Sequence, residues 1–387
     1  MIKIAFLTPE YPHVRTGTSG GIGTSIKNLA IGLTDLGCEV RVLVYSQMAD
    51  NVFMDNGITI QQIKNQKFKG LSWFLTRKKI ENIINNLYVS NIIDVVEVCD
   101  WTGITSFIKP KKCPVVIKLN GSDTYFCDLE NRKSKWINRF HEKRAIANAD
   151  FHVSVSAFTA KETNRIFSQK FVYKIIPNGL NVDDFQSKNN LILKSKNANI
   201  LYFGSIIRKK GLLELPFIFN ELINLNPNVA LVLIGKDVPD IATGNSSTWE
   251  MMQLLFTDIA RAQVDYSGAL TYNDMKNAIQ NADVCVFPSF IEAFPVSWLE
   301  AMAIGITIVA SNIGWASEMI ENGKEGFLVH PKNHVEFASK INEVLNDKSK
   351  SESLVLNAKT KIRNSFDTKI IAQKNLDFYN AIVNLQV

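Results

Sequence analysis

The sequence has no Asp-x-Asp pair, no Cys-x-x-Cys pair and no apolar run near the roughly 20 residues that a membrane-spanning helix needs. Without Asp-x-Asp, no obvious carboxylate clasp exists for a divalent ion carried on a diphosphate, and neither a metal nor any other cofactor is expected. Cys38, Cys99, Cys113, Cys127 and Cys285 are odd in number and widely spaced, which excludes a disulfide framework and a zinc site and fits a reducing, cytoplasmic setting. The apolar opening Ile2–Thr8 stops at Pro9 and Glu10, too early for a signal-peptide core, and reads as a first buried strand. Low-complexity and Pro/Gly-rich tracts are also missing, so disorder is not the default.

What is present is an α/β rhythm on a chain of 387 residues, 46% hydrophobic and 21% charged, long enough for two ordinary domains. Buried-strand runs at Ile2–Thr8, Glu39–Tyr45, Val95–Val98, Val115–Leu119 and Phe151–Ser156 alternate with helical stretches such as Ile22–Leu36 and Trp136–Asn148. After Ile176-Pro-Asn-Gly179 and a polar stretch from Ser187 to Asn199, strands resume at Ile200–Phe203, Val229–Ile234, Val284–Pro288 and Thr307–Ser311. The expectation is two Rossmann-like domains, 1–178 and 179–365, with mainly parallel sheets facing across a cleft and ligands at the carboxyl ends of the strands. A last helical pattern over 366–385 either ends the second domain or crosses back to the first.

The richest segment is Phe287-Pro-Ser-Phe-Ile-Glu292-Ala-Phe294-Pro295-Val296-Ser297-Trp-Leu-Glu300-Ala-Met-Ala-Ile-Gly305. A strand ends at Pro288, Glu292 lies in the loop, and a helix starting near Val296 carries Glu300 on its second turn. Helix-start amides can hold phosphate. Acids beside such a site suit hydrogen bonding to sugar hydroxyls, although each alone also fits a dipole-facing or solvated carboxylate.

This segment resembles the signature of the family 4 retaining glycosyltransferases, in which two glutamates with seven residues between them flank the same loop. Four further stretches resemble that family in the same order: Ser19-Gly-Gly-Ile-Gly23, Ile176–Asp183, Phe203-Gly-Ser205-Ile-Ile-Arg208-Lys-Lys210-Gly211 and Asn281–Ser289. The resemblance implies the GT-B fold and retaining transfer from a UDP- or GDP-sugar to a glycan or lipid-linked acceptor, without metal. It also implies that Glu300 binds the donor ribose, that Glu292 holds the transferred sugar, that Lys210 neutralises the diphosphate, and that Phe294, Pro295, Val296 and Ser297 line the donor. Gly21 and Gly23 would bring backbone close to phosphate. A glycine turn is weak evidence alone, and neither a P-loop lysine nor the dinucleotide spacing accompanies it.

Three positions depart from the pattern. Ser205 stands where an arginine is usual, with Arg208 a candidate substitute. Pro295 replaces a glycine, removing one N–H donor. Asn120 ends a strand where many relatives carry histidine, and an amide cannot serve as a general base; Asp123 is a nearby alternative that also fits a helix N-cap. On the acceptor side, Glu97, Asp100 and Trp101 follow one another at a strand end, where an aromatic face beside carboxylates suits a sugar ring.

Residues 1–177 hold 24 Lys and Arg against 15 Asp and Glu. Two basic-aromatic stretches, Lys64–Lys79 and Arg132–Arg144, account for the excess as solvated helix faces or as a peripheral contact with an anionic membrane. No nucleic-acid motif accompanies them. Two other functions fit the same residues: a nucleotide-sugar epimerase of the same fold, and a catalytically silent subunit that only binds.

Overall fold

The computed structural model describes residues 1–17, 19–185 and 197–385, so the expected polar stretch from Ser187 lies outside them up to residue 196. The chain forms two compact units, one of Met1–Asn181 with the residues from Phe366 onward, the other of Val182–Ser365.

In the first unit β1 (Lys3–Thr8), β2 (Glu39–Gln47), β3 (Asn51–Asp55), β4 (Ile58–Lys64), β5 (Val95–Cys99), β6 (Val115–Leu119), β7 (Phe151–Ser154) and β8 (Lys174–Ile175) form one sheet in the order β3-β4-β2-β1-β5-β6-β7-β8. All neighbours are parallel except β3 and β4. β5 and β6 are buried along their whole length, as expected of near-continuous Val/Ile runs covered on both faces. The β3–β4 hairpin was not anticipated from the sequence, yet its signal is there: Asn56-Gly57 adopts φ of 49° and 81°, the left-handed pair that a two-residue hairpin turn requires.

The helix Gly21–Asp35 turns Ile26, Leu29, Ala30 and Leu33 inward at helical spacing. They share a core with Ile371, Ala372, Tyr379 and Ile382 of the last helix, Thr368–Asn384. The close approach depends on Gly32, where a methyl group would lie 2.6 Å from Cγ2 of Thr368. The return is pinned where the Leu180 amide donates to the Phe366 carbonyl and the Thr368 amide to the Leu180 carbonyl, both at 2.9 Å.

The second unit is a parallel sheet of β9 (Ala198–Phe203), β10 (Val229–Ile234), β11 (Val264–Gly268), β12 (Val284–Phe287), β13 (Thr307–Ser311) and β14 (Phe327–Val329), in the order β11-β10-β9-β12-β13-β14. The two strands missing from the sequence reading are the edges. β11 (Val-Asp-Tyr-Ser-Gly) alternates with polar residues, and β14 spans only three residues, too few to register as a pattern.

Candidate functional site

The second unit assembles its charged residues at the carboxyl ends of β9 and β12. After β9 the chain makes a short turn over Arg208–Lys210 that ends at Gly211, whose φ is 72°. A methyl group there would lie 1.8 Å from the Pro288 carbonyl oxygen, so only glycine lets this turn lie against the end of β12. The amides of Phe290 and Ile291 in turn donate to the Lys209 carbonyl at 2.9 and 3.2 Å. These contacts bring Lys210 Nζ to 3.2 Å from Glu292 Oε1. Ser205 lies in the same turn, its carbonyl accepting from the Tyr202 hydroxyl at 2.9 Å.

Glu300 sits within the helix Val296–Ile304, which begins after Pro295 (φ −73°) and stops at Gly305 (φ 96°). Phe294, Val296 and Ser297 therefore flank a helix start whose first turn is uncapped by any side chain of Pro295. The Glu300 carboxyl is buried, and burial pushes its pKa up to about 7 against the opposing pull of the Tyr272 hydrogen bond and the charges of Lys276 and Lys210. The Tyr272 hydroxyl donates to Oε1 at 3.2 Å. Lys276, one helical turn on, lies over the Tyr272 ring and donates to the Asp184 carbonyl at 3.0 Å.

Arg208, the candidate substitute for the missing arginine, is held in a fork by Asp240: Nε reaches Oδ1 at 2.7 Å and the terminal nitrogen reaches Oδ2 at 2.8 Å. The pairing keeps the Asp240 carboxyl down at about 2. Arg208 still exposes part of its side chain.

In the first unit Asp100 and Asn120 follow directly on the carboxyl ends of β5 and β6, whereas Glu97 lies in the middle of β5 and not at its end. Asp100 Oδ1 accepts from the Asn120 amide at 3.0 Å, while Oδ2 is buried with no partner among the described residues. Burial pushes the Asp100 carboxyl up to about 7. Glu97 is buried and accepts from the Tyr379 hydroxyl at 2.6 Å, which ties the last helix to the sheet. Trp101 is partly exposed and opens an irregular stretch in which Thr102 and Gly103 have positive φ. The N-cap role falls to Ser122, not to Asp123: Ser122 Oγ accepts from the Tyr125 amide at 3.2 Å. Asp123 is the first helical residue and accepts from Asn138 at 2.9 Å.

The glycine loop has an anion partner of its own. Glu10 accepts from the Gly20 and Gly23 amides, each at 3.0 Å, and a methyl group at Gly23 would lie 2.7 Å from the Glu10 carbonyl oxygen. A phosphate approaching Gly21 and Gly23 would therefore compete with this carboxylate. Sequence reasoning missed Glu10, Tyr272, Asp240 and Tyr379, and nothing in local spacing links them to their partners.

The two basic-aromatic stretches converge on one face of the first unit. Trp73 and Phe140 both pack on Phe107, with ring centroids 5.4 and 6.3 Å apart, and Arg144 lies over the same ring at 4.6 Å. Trp136, four residues before Phe140 in the same helix, is 77% exposed. Arg77, in contrast, is buried, and Lys79 is paired with Asp50 at 2.6 Å, so neither offers an open charge.

Residues 19–184 match the family model described as Glycosyltransferase Family 4, and residues 183–361 match Glycosyl transferases group 1. An uncharacterized glycosyltransferase of Methanocaldococcus jannaschii is 25% identical across 99% of both chains. An N,N'-diacetylbacillosaminyl-diphospho-undecaprenol alpha-1,3-N-acetylgalactosaminyltransferase of Campylobacter jejuni is 36% identical over 30% of this chain and 32% of its own length. Among solved structures, sucrose-phosphate synthase of Thermosynechococcus elongatus superposes with a TM-score of 0.79 at 18% identity over 100% of both chains. HepE of Anabaena, solved in complex with UDP and glucose, superposes at 0.74 with 19% identity over 98% of this chain and 100% of its own.

Proposed function

Because the chain belongs to the family 4 glycosyltransferases and has the GT-B fold, we propose that it moves a sugar from a UDP- or GDP-sugar to a glycan or lipid-linked acceptor, with retention and without a divalent ion. The observation that carries this reading is the contact of Lys210 with Glu292, which sets one cation and one carboxylate side by side at a strand end. In the reaction the bond from the anomeric carbon to the diphosphate oxygen breaks and the bond to the acceptor oxygen forms on the same face. The acceptor proton passes to the departing phosphate, since Asn120 cannot take it. Lys210 neutralises charge building on the diphosphate, a contact worth roughly 3–4 kcal/mol if it acts as an oxyanion-hole donor does. Glu292 accepts from sugar hydroxyls, and Glu300, once ionised, accepts from the ribose. Metal independence is supported by the pairing of Glu292 with an ammonium and by the missing Asp-x-Asp.

UDP is the first donor base to test, because HepE of similar fold was solved with UDP. A lipid-linked acceptor is supported by the name of the Campylobacter relative and by the aromatic-basic face, which suits peripheral contact with an anionic bilayer on the cytoplasmic side. No helix among the described residues is long and apolar enough to cross a membrane.

The test is a thermal-shift panel of UDP- and GDP-sugars, where a ligand at a hundredfold its Kd adds about 2.7 kcal/mol. Product analysis with and without acceptor follows. An altered sugar from donor alone marks an epimerase, and donor binding with no turnover marks a binding subunit. No stabilisation by any nucleotide-sugar rejects the proposal.

A further inference from the structure

The order of strands in the first unit reverses at β1, which has β2 on one side and β5 on the other. A crevice at the carboxyl ends of the strands belongs at such a point. A recess does open there, lined among others by Ser25, Glu97, Lys118, Asn120 and Asn178.

Two of these side chains are buried without partners. Lys118, on β6, is 6% exposed, and its ammonium makes no hydrogen bond or ion pair among the described residues. Asn178 is 7% exposed, and its Oδ1 is buried with no partner among the described residues. An ammonium on a buried side chain that makes no hydrogen bond is costly, and burial lowers the Lys118 pKa while the nearby Glu97 charge opposes that shift. Such groups persist where something else satisfies them.

The recess also states what it can take. Its cavity volume is about 10 Å³, room for one water-sized group, and a carboxylate or phosphate is too large. The Glu97 carboxylate in the wall repels an anion as well. Lys118 offers donors only, whereas Glu97 and Asn178 Oδ1 offer acceptors only. A hydroxyl does both, accepting from the ammonium and donating to an oxygen.

We propose that this recess is a subsite for one hydroxyl of a neutral sugar bound to the first unit, with Lys118 as its donor and Asn178 and Glu97 as its acceptors. The inference rests on the glycosyltransferase reading and narrows its acceptor: the group presented here is an uncharged hydroxyl-bearing one, not an acidic one.

The experiment measures binding to the full chain, without donor, of the methyl glycosides of glucose, galactose, mannose and N-acetylglucosamine, and of methyl glucuronate glycoside, by saturation-transfer NMR. At least one neutral glycoside binds the wild type, and Lys118→Met weakens it roughly tenfold or more, as loss of a hydrogen bond to a charged donor predicts. The variant still folds, because it removes an unpaired buried charge and keeps the apolar stem, and its melting curve checks this. UDP binding by thermal shift on the same preparations reads the second unit separately. Neutral-glycoside binding unchanged in Lys118→Met, equal or tighter binding of the glucuronide, or no glycoside binding to the wild type overturns the subsite, the recess then holding water only. If UDP binding persists in those cases, the wider functional reading stands.

Discussion

Lys210 Nζ stands 3.2 Å from Glu292 Oε1, and the two meet only because Gly211 allows the turn bearing the lysine to touch the end of β12. The turn and the strand end thereby set one cation beside one carboxylate.

Replacing Lys210 with Ala should therefore lower kcat by about a hundred- to a thousandfold while leaving the circular dichroism and melting temperature near those of the wild type. The pair is partly exposed, so its own share of stability is small. Near-normal turnover of the purified variant would remove Lys210 from leaving-group neutralisation.

A gentler change next door should do more damage to the fold. Gly211→Ala places a Cβ on the Pro288 carbonyl and strains a left-handed φ, so it should cost at least about 1–2 kcal/mol and displace Lys210. Chemical denaturation and kcat are both expected to fall. An unchanged denaturation midpoint would mean that this contact is not rigid.

Glu300 makes a prediction about pH. Its carboxyl titrates near 7 in the fold against an ordinary value of 4.5, so the folded state binds more protons than the unfolded chain between those limits. Stability contributed by this group is thus full at low pH and declines as pH rises to about 7, a difference on the order of 3 kcal/mol. Glu300→Gln removes the penalty. It should raise the melting temperature relative to the wild type at pH 8 but much less at pH 4.5, while weakening binding of the donor. An equal shift at both pH values would contradict a buried, titrating carboxyl.

At the other end of the chain, Tyr379→Phe should strand the Glu97 oxygen that accepts at 2.6 Å and cost about 1–3 kcal/mol. The loss should be greater at pH 8 than at pH 5, because burial already raises the Glu97 pKa and the missing hydrogen bond had favoured the ionised form. Limited proteolysis reads the same event as early release of the C-terminal helix.

On the aromatic-basic face, changing Trp136 and Phe140 to Ser should reduce sedimentation with vesicles rich in anionic lipid by roughly tenfold or more, given about 1.5–3 kcal/mol for each buried large apolar side chain. The same change should leave UDP-sugar binding intact. Undiminished sedimentation would rule this face out as the membrane contact.

The local setting of the charged residues in the second unit was readable beforehand. Glu292, Glu300 and Lys210 each stand in a local frame of strand end, turn glycine and helix start, and such frames depend on neighbours a few residues away. The hairpin at Asn56-Gly57 was equally readable, although the largely exposed β3 hides it from a search for buried runs. Arg208 shows the limit. Its spacing made it a candidate for the diphosphate, but nothing nearby in sequence announces that Asp240 would hold it in a fork.

The sequence by itself determined the alternation of strands and helices, the two-unit plan and the local frames of Glu292, Glu300 and Lys210, because short-range periodicity, glycine φ and helix starts are written locally. Only the tertiary structure decided that the last helix returns to the first unit, that Glu10 occupies the glycine-loop amides, that Tyr272 holds Glu300, and that Lys118 and Asn178 share one recess. These are contacts between residues far apart in the chain. Whether a polar side chain ends paired or orphaned there depends on how sheets and helices close over it, which no local pattern encodes.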